Sequence, residues 1–183
     1  MMVIISMSSR VEKSSLAPSL KMARENLLMI LGSGEMFGEL SLFDSGPRTA
    51  TATAVTDTKL LSLGQNKVIP WVKEHPEVSL QLLSRLASRL RRTNEVVGDL
   101  VFSDVPGRVA KALIDLGVKF GEQRSEGMIV NHDLTQEELA QLVGASRETV
   151  NKALADFAQR GWIRLEARAV VVLDYERLLK RGR

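Results

Sequence analysis

Apolar and polar positions along the chain fall into three successive regimes. The first two dozen residues, rich in Ser, Met and Lys, show no sustained period, and only Val3-Ile4-Ile5 offers a short strand. Leu27 to Leu31 is a compact apolar run, broken by Gly32-Ser33-Gly34. After Pro47, strict alternation of Thr and Ala from Thr49 to Ala54 predicts a half-buried strand, and Thr58 to Leu63 predicts another. Residues 25–63 therefore read as the strands of a small β-domain.

The period then becomes helical. Gln65 to Glu74 predicts a short helix, and Pro76 stands where a first-turn proline opens a longer one. Along that helix Leu83, Leu86, Leu90, Thr93, Val97 and Leu100 follow alternate steps of three and four, the spacing of an a/d seam. Arg85, Arg89, Arg91 and Arg92 surround the seam, which favours a parallel dimer helix over one packed on its own domain. The Thr93 hydroxyl and the Asn94 amide interrupt it, and suit either register setting or contact with a ligand. Asp104-Val105-Pro106-Gly107 predicts a hinge between domains. Beyond it, Arg108 to Phe120 reads as a helix with Val109, Ala112, Leu113 and Leu116 on one face, and Met128 to Val130 as a short strand.

The densest pattern lies between Thr135 and Phe157. Thr135-Gln136-Glu137-Glu138 has the form of a capping box, and Leu139, Ala140 and Val143 supply the inner face of the helix it starts. Gly144 permits a left-handed turn, Ser146 caps a second helix, and Val150, Ala153 and Leu154 face inward from it. Helix, short Gly-containing turn, helix is the helix-turn-helix arrangement. Trp162–Leu165 and Ala169–Leu173 follow as a hairpin wing. A small helical domain with a hairpin is the plainer alternative. The second helix turns Arg147, Glu148, Asn151 and Lys152 outward from the half that meets base edges in a major groove. Arg can pair bidentately with guanine and Glu can accept from cytosine, while the Gln136 amide suits a phosphate. Glu148 and Lys152 are also spaced as an ordinary i,i+4 surface pair.

Composition narrows the function classes. Of 183 residues 44% are hydrophobic and 26% charged, the balance of a globular protein, and no apolar run approaches the ~20 residues of a membrane helix. The opening Met-Met-Val-Ile-Ile is too short for a secretory signal, so a cytoplasmic address with no membrane partner is expected. With no cysteine and only His75 and His132, thiolate zinc, iron–sulfur clusters and a histidine-rich metal site are excluded, and no metal is expected. No nucleophile–base constellation is evident, so an enzyme is not expected. The net charge is only +3, but from Arg147 to Arg183 nine Lys/Arg face five Asp/Glu. Such a surplus permits a polyanion partner without demanding one.

Gly144-Ala145-Ser146-Arg147-Glu148-Thr149-Val150-Asn151-Lys152, preceded by Asp104-Val105-Pro106-Gly107-Arg108-Val109-Ala110, resembles the cyclic-AMP receptor protein and FNR family of transcription regulators. The resemblance extends over residues 26 to 183. It implies an α+β chain with a partial, jelly-roll-like β-roll sensor (1–74), a long dimerisation helix (75–103) and a C-terminal winged helix-turn-helix domain (104–183). Phe37-Gly38-Glu39-Leu40-Ser41-Leu42 and Pro47-Arg48-Thr49-Ala50 look like the family's cassette for a cyclic nucleotide. By that resemblance the ligand is cyclic AMP: Gly38, Glu39 and Leu40 surround it, Arg48 neutralises its phosphate, Thr49 adds a hydroxyl, Glu39 accepts from the ribose, and Thr93 and Asn94 face the adenine. Thr135, Gln136, Ser146, Arg147, Glu148, Asn151 and Lys152 form the DNA face. Lys152 stands where some members carry Arg, and the sensor is shortened at its N-terminal side. The expected function is sequence-specific transcription control by a homodimer on palindromic double-stranded DNA, gated by cyclic AMP, with RNA polymerase as a partner by resemblance. A ligand-independent DNA-binding dimer and a nucleotide-binding module that acts on a protein are the alternatives.

Overall fold

The computed structural model describes residues 2–6, 20–23, 27–44, 46, 50–167 and 169–183. The N-terminal part builds two three-stranded antiparallel sheets from β1 (Met2–Ser6), β2 (Leu20–Ala23), β3 (Leu27–Leu31), β4 (Met36–Phe37), β5 (Thr51–Ala54) and β6 (Lys59–Leu63). β1 is central in one, with Ile4 opposite Met36 on one side and Leu61 on the other. β2 is central in the second, with Met22 opposite Met29 and Ala52 and an irregularity before Ala23. Val3-Ile4-Ile5 is thus a strand as expected. β2 adds a strand in a stretch where the sequence shows no sustained period. Four residues are too few to display a period, and pairing with two neighbours, rather than local preference, makes them a strand.

The alternating Thr/Ala run does form β5, but all of Thr51–Ala54 is exposed, so the predicted half-burial is corrected. Small side chains at every position let the strand pair through its backbone while covering little. The sensor's buried apolar positions lie elsewhere. Val68 of α2 (Gln65–Glu74) and Leu82 of α3 (Pro76–Phe102) pack with Met36, Leu63, Val72 and Val78. Pro76 opens α3, where its missing amide costs nothing.

At 27 residues α3 is about 40 Å long. Only Leu82 along it is buried. Leu83, Leu90, Val97 and Leu100 of the seam are exposed by 61%, 63%, 56% and 48%. Within one chain, most of the seam is thus left open, with Leu86 half-buried, while Leu82 and Arg89 tie the helix to the sensor.

α3 ends at Ser103, and Asp104 caps α4 (Val105–Phe120) by accepting the Gly107 amide at 2.9 Å. The predicted four-residue hinge is therefore narrower. Val105, Pro106 and Gly107 are already helical, since a proline is tolerated in a first turn. Gly107 is buried under Arg181, and a Cβ there would lie 3.2 Å from that guanidinium. The rest is a four-stranded sheet in the order β7 (Gly121–Arg124), β8 (Gly127–Asn131), β10 (Ala169–Val172), β9 (Ile163–Leu165), with helices α5 (Gln136–Val143), α6 (Arg147–Gln159) and α7 (Tyr175–Arg181).

β7 and α7 were not expected from the sequence pattern. β7 is Gly-Glu-Gln-Arg, polar throughout, and is held by its pairing with β8. α7 has a single buried anchor, Leu178, and is capped by Asp174. The core of this part is built from Val109, Leu113, Leu116, Val130, Leu139, Val150, Leu154, Phe157 and Ile163, and it also takes in Leu27 and Ile30 from β3. Sensor and C-terminal part therefore share apolar packing.

Candidate functional site

Two groups of predicted residues occupy separate places in the fold. The first lies where β4 runs into α1 (Leu40–Phe43) beside α3. Gly38 sits at φ +78, a conformation that disfavours any side chain, and delivers the chain to Glu39 in helical geometry at the start of α1. The Ser41 hydroxyl donates back to the Gly38 carbonyl at 3.2 Å and fixes the turn. Leu40 is half exposed. Glu39 is 1% exposed and is the one buried charged side chain among the described residues.

A buried carboxylate is tolerated only with compensation. Here Arg89 of α3 donates from Nη1 to Glu39 Oε1 at 2.7 Å, and its Nη2 lies 3.0 Å from Met29 Sδ. Glu39 Oε2 is buried and has no hydrogen-bond partner. An orphaned anionic acceptor in a turn next to an arginine fits a ligand that brings a hydroxyl donor, as the ribose of a cyclic nucleotide does. Thr93 stands one helical turn beyond Arg89, its hydroxyl donating to the Arg89 carbonyl at 3.0 Å, and Thr93 and Asn94 are both exposed. Arg48 and Thr49 lie outside the described residues. Arg89 is the residue that the sequence reading missed as a site group, having placed it only among the charges around the seam. Its i,i+4 spacing from Thr93 puts the two on one helix face and is the signal that could have found it.

The second group is built by α5 and α6. The capping box is present: Thr135 Oγ1 accepts the Glu138 amide at 3.1 Å, and Glu138 Oε2 accepts the Thr135 amide at 2.8 Å. Gly144 takes up the left-handed conformation, φ +63 and ψ +49, which turns the chain between the helices. Ser146 caps α6 by accepting the Thr149 amide at 3.2 Å. Ala140 is 1% exposed at the base of the motif, and Val150, Ala153, Leu154 and Phe157 bury the inner face of α6.

Outward from this frame stand Thr135, Gln136, Ser146, Arg147, Glu148 and Lys152, all exposed. Arg147 Nη2 donates to Gln136 Oε1 at 3.4 Å, so the two predicted DNA contacts share one edge. Lys152 and Glu148 form the i,i+4 pair at 2.7 Å with both side chains more than 70% exposed. Asn151 is half-buried, and its Oδ1 points inward without a partner.

A further residue ties the motif to the end of α3. Arg108 donates from Nε to the Val143 carbonyl at 2.8 Å, from Nη2 to the Gly144 carbonyl at 3.2 Å, and from Nη1 to the Ser103 carbonyl at 2.6 Å. One guanidinium thus satisfies terminal carbonyls of two helices. Leu100 closes the same contact, since a Cβ on Gly144 would lie 2.7 Å from its Cδ2. On the other side of α4, Arg181 holds the Asp104 carboxyl below its ordinary 3.8, helped by the Gly107 amide. Burial holds His132 below its ordinary 6.5 despite the adjacent Asp133, and its Nδ1 accepts the Leu134 amide at 3.0 Å.

Comparison with known proteins agrees with this layout. A family profile described as "Crp-like helix-turn-helix domain" matches residues 107–181, and one described as "Cyclic nucleotide-binding domain" matches 14–75. The chain is 56% identical over 179 residues to the CRP-like cAMP-activated global transcriptional regulator of Mycobacterium tuberculosis, covering 98% of this chain and 79% of that protein. It is 38% identical over 151 residues to the cyclic AMP receptor protein of Thermus thermophilus, with 82% and 67% covered. Among solved structures, a CRP/FNR-family transcriptional regulator from Thermus thermophilus superposes with a TM-score of 0.78 at 25% identity, over 99% of this chain and 87% of that one.

Proposed function

Because the chain belongs to the CRP/FNR family of DNA-binding transcription regulators, whose members bind DNA as dimers, we propose that its own switch is cyclic AMP bound at Glu39. The single observation that carries this reading is Glu39 itself: a fully buried carboxylate with one oxygen on Arg89 and the other unpartnered. In this reading Glu39 accepts from the ribose hydroxyl, and the Gly38–Leu40 turn with Arg48 and Thr49 holds the cyclic phosphate. Thr93 and Asn94 meet the adenine from α3. The Arg89 guanidinium holds one Glu39 oxygen in place and leaves the other free to accept. The ligand supplies an anion and one ribose hydroxyl donor, and the chain supplies the complementary groups; no bond is made or broken.

The DNA face is Arg147, Glu148 and Lys152 of α6 for bases, with Thr135, Gln136 and Ser146 toward phosphates. Asn151 joins them only if its amide turns outward. The sensor is taken as residues 1–74, the dimer helix as 75–103 and the DNA-binding domain as 104–183. The exposed seam of α3 pairs two chains, which sets two recognition helices on a palindromic site about one helical turn apart. RNA polymerase is the downstream partner in this reading and the cytoplasm its place; no helix among the described residues is long and apolar enough to cross a membrane.

Calorimetry of the purified chain with cyclic AMP, followed by a DNA shift assay with and without the nucleotide, tests the proposal. Saturable binding together with a nucleotide-dependent shift is expected. DNA binding that ignores cyclic AMP, with no heat of binding, gives instead the ligand-independent regulator.

A further inference from the structure

Among the described residues, a group of polar ties with long sequence separation joins β3 to the C-terminal part. Lys119, in the last turn of α4, directs its ammonium to both carboxylate oxygens of Glu35, at 3.0 and 2.9 Å, and to the Ile30 carbonyl at 3.1 Å. Glu35 is itself oriented, because its Oε2 accepts the Gly32 amide at 2.6 Å. Phe120, the next residue along α4, lies against the same turn, its ring 3.4 Å from where a Gly32 Cβ would stand. A second strut runs from α5. Gln141 Oε1 accepts the Leu27 amide at 3.3 Å, a donor at the start of β3. Beneath these polar ties Leu27 and Ile30, 4% and 7% exposed, are buried in one cluster with Leu139, Ala140 and Val143 of α5.

We propose that Glu35 and Lys119 are positioning residues for DNA binding: they clasp the turn after the sensor's β3 to α4, beside the Gln141 strut from α5, and so set the angle of the helix-turn-helix. The pair is 34% and 24% exposed, more enclosed than a free surface pair, and it sits at the rim of an apolar contact that excludes water. The contact reaches the motif directly. Gln141 is on α5, which opens at the proposed phosphate contact Gln136 and ends at the Gly144 turn into α6. In the clasped arrangement Gln136, Arg147, Glu148 and Lys152 are all exposed, so it is an arrangement that DNA can engage. In a dimer, two such angles must be right together for both recognition helices to enter successive grooves.

The proposal rests on the DNA face named above, but it does not need cyclic AMP to be the ligand. A plainer role is also open to Lys119, since a cation in a last turn complements the helix dipole without any partner in the sensor. Charge reversal separates the two. The four chains to compare are the unmodified one, Glu35→Lys, Lys119→Glu and the double reversal, each titrated with an inverted-repeat duplex with and without cyclic AMP, and each checked by thermal unfolding. Each single reversal sets like charges together and should weaken DNA binding about tenfold, within the usual range of coupling between sites. The double reversal restores the attraction but not the Gly32 amide and Ile30 carbonyl contacts, so it should bind more tightly than either single reversal while staying weaker than the unmodified chain. Neutral Glu35→Gln and Lys119→Met serve if a reversal fails to fold, and should weaken binding less. Single variants that fold and bind DNA as tightly as the unmodified chain, or a double reversal no better than the worse single, overturn the clasp. A helix-dipole role predicts that second result, since Glu at position 119 is unfavourable whatever stands at 35. Absence of any cyclic AMP effect in the unmodified chain counts against the ligand reading alone, because the cycle is read without nucleotide as well.

Discussion

Replacing Arg89 by Met removes the guanidinium from Glu39 but keeps the length and apolar stem of the side chain. The carboxylate left behind is 1% exposed, with one oxygen already unpartnered, so it loses its one charged hydrogen bond with little water to substitute. Breaking a buried pair from one side costs about 3–5 kcal/mol. Arg89 is 28% exposed, so solvent reaches its side of the pair, and the lower end, about 3 kcal/mol, is expected. With a urea m-value of about 1–3 kcal/mol/M, the sensor's midpoint should fall by about 1 M or more. The chain has two tryptophans, and Trp71 lies in α2 of the sensor, so a Trp162→Phe background reports sensor unfolding by fluorescence.

The companion variant is Glu39→Gln in the Arg89→Met chain. Removing the stranded charge should restore most of the loss, giving a coupling energy above about 1.5 kcal/mol in the cycle. Such a chain should still bind cyclic AMP at least about tenfold more weakly, because a charged acceptor has been exchanged for a neutral one. A loss below about 1 kcal/mol for Arg89→Met, or single effects that simply add, refutes the view that Arg89 holds a buried charge in place.

Three shorter predictions concern other parts of the fold. Leu86→Asp with Leu90→Asp should turn a sedimenting dimer into monomers, and an unmodified chain that is monomeric at micromolar concentration refutes the seam. His132 is held below its ordinary 6.5 by burial, so the unfolded chain takes up a proton first as pH falls. Its contribution to stability should be complete above about pH 7 and lost as pH drops through 6.5 toward the lower folded value, a loss that His132→Gln should remove from urea midpoints measured across that window. In a randomised-site selection, Arg147→Ala should relax preference at one base pair per half-site, by about 1–3 kcal/mol, while Gln136→Ala should weaken all sequences alike; identical profiles for Arg147→Ala and the unmodified chain rule out base contact by Arg147.

What the sequence made legible were features written into consecutive residues. The capping box at Thr135, the left-handed Gly144, the Ser146 cap and the boundaries of α2 all rest on local chemistry, and the structure places each where its pattern predicts. What escaped notice depends on pairing at a distance. β2 and β7 are strands only because neighbours supply their hydrogen bonds, and α7 is pinned by Leu178 and by Arg181 reaching Asp104, 77 residues away. The same distinction divides the site. Glu39 was found through its resemblance to a cassette, whereas Arg89, 50 residues on, could be matched to it only by the fold. The exposure of Thr51–Ala54 shows the converse case, a period that is real in the sequence yet reports strand geometry without burial.

Arg89, Thr93, the seam leucines and Leu100 all belong to α3, with Ser103 as its C-cap, and this has a mechanical consequence for the proposed function. From Arg89 to Ser103 is fourteen residues, about 21 Å along a helix whose backbone hydrogen bonds run without a proline after Pro76. A change in the position of Arg89, drawn by Glu39 and whatever Glu39 holds, therefore reaches Ser103 as a shift of a nearly rigid rod. At that end Arg108 gathers the carbonyls of Ser103, Val143 and Gly144 on one planar guanidinium. The end of the rod and the turn into α6 are thereby held to one geometry. A Lys at position 108 would retain the charge but offer no fixed fork. The clasp at Glu35 and Lys119 touches the same domain from the turn that follows β3. The helix-turn-helix is thus held at two places by the sensor side, once through α3 and once through β3, and its angle follows from both. In the proposed function, a ligand that moves α3 against β3 strains these two attachments unless the recognition helix turns with them.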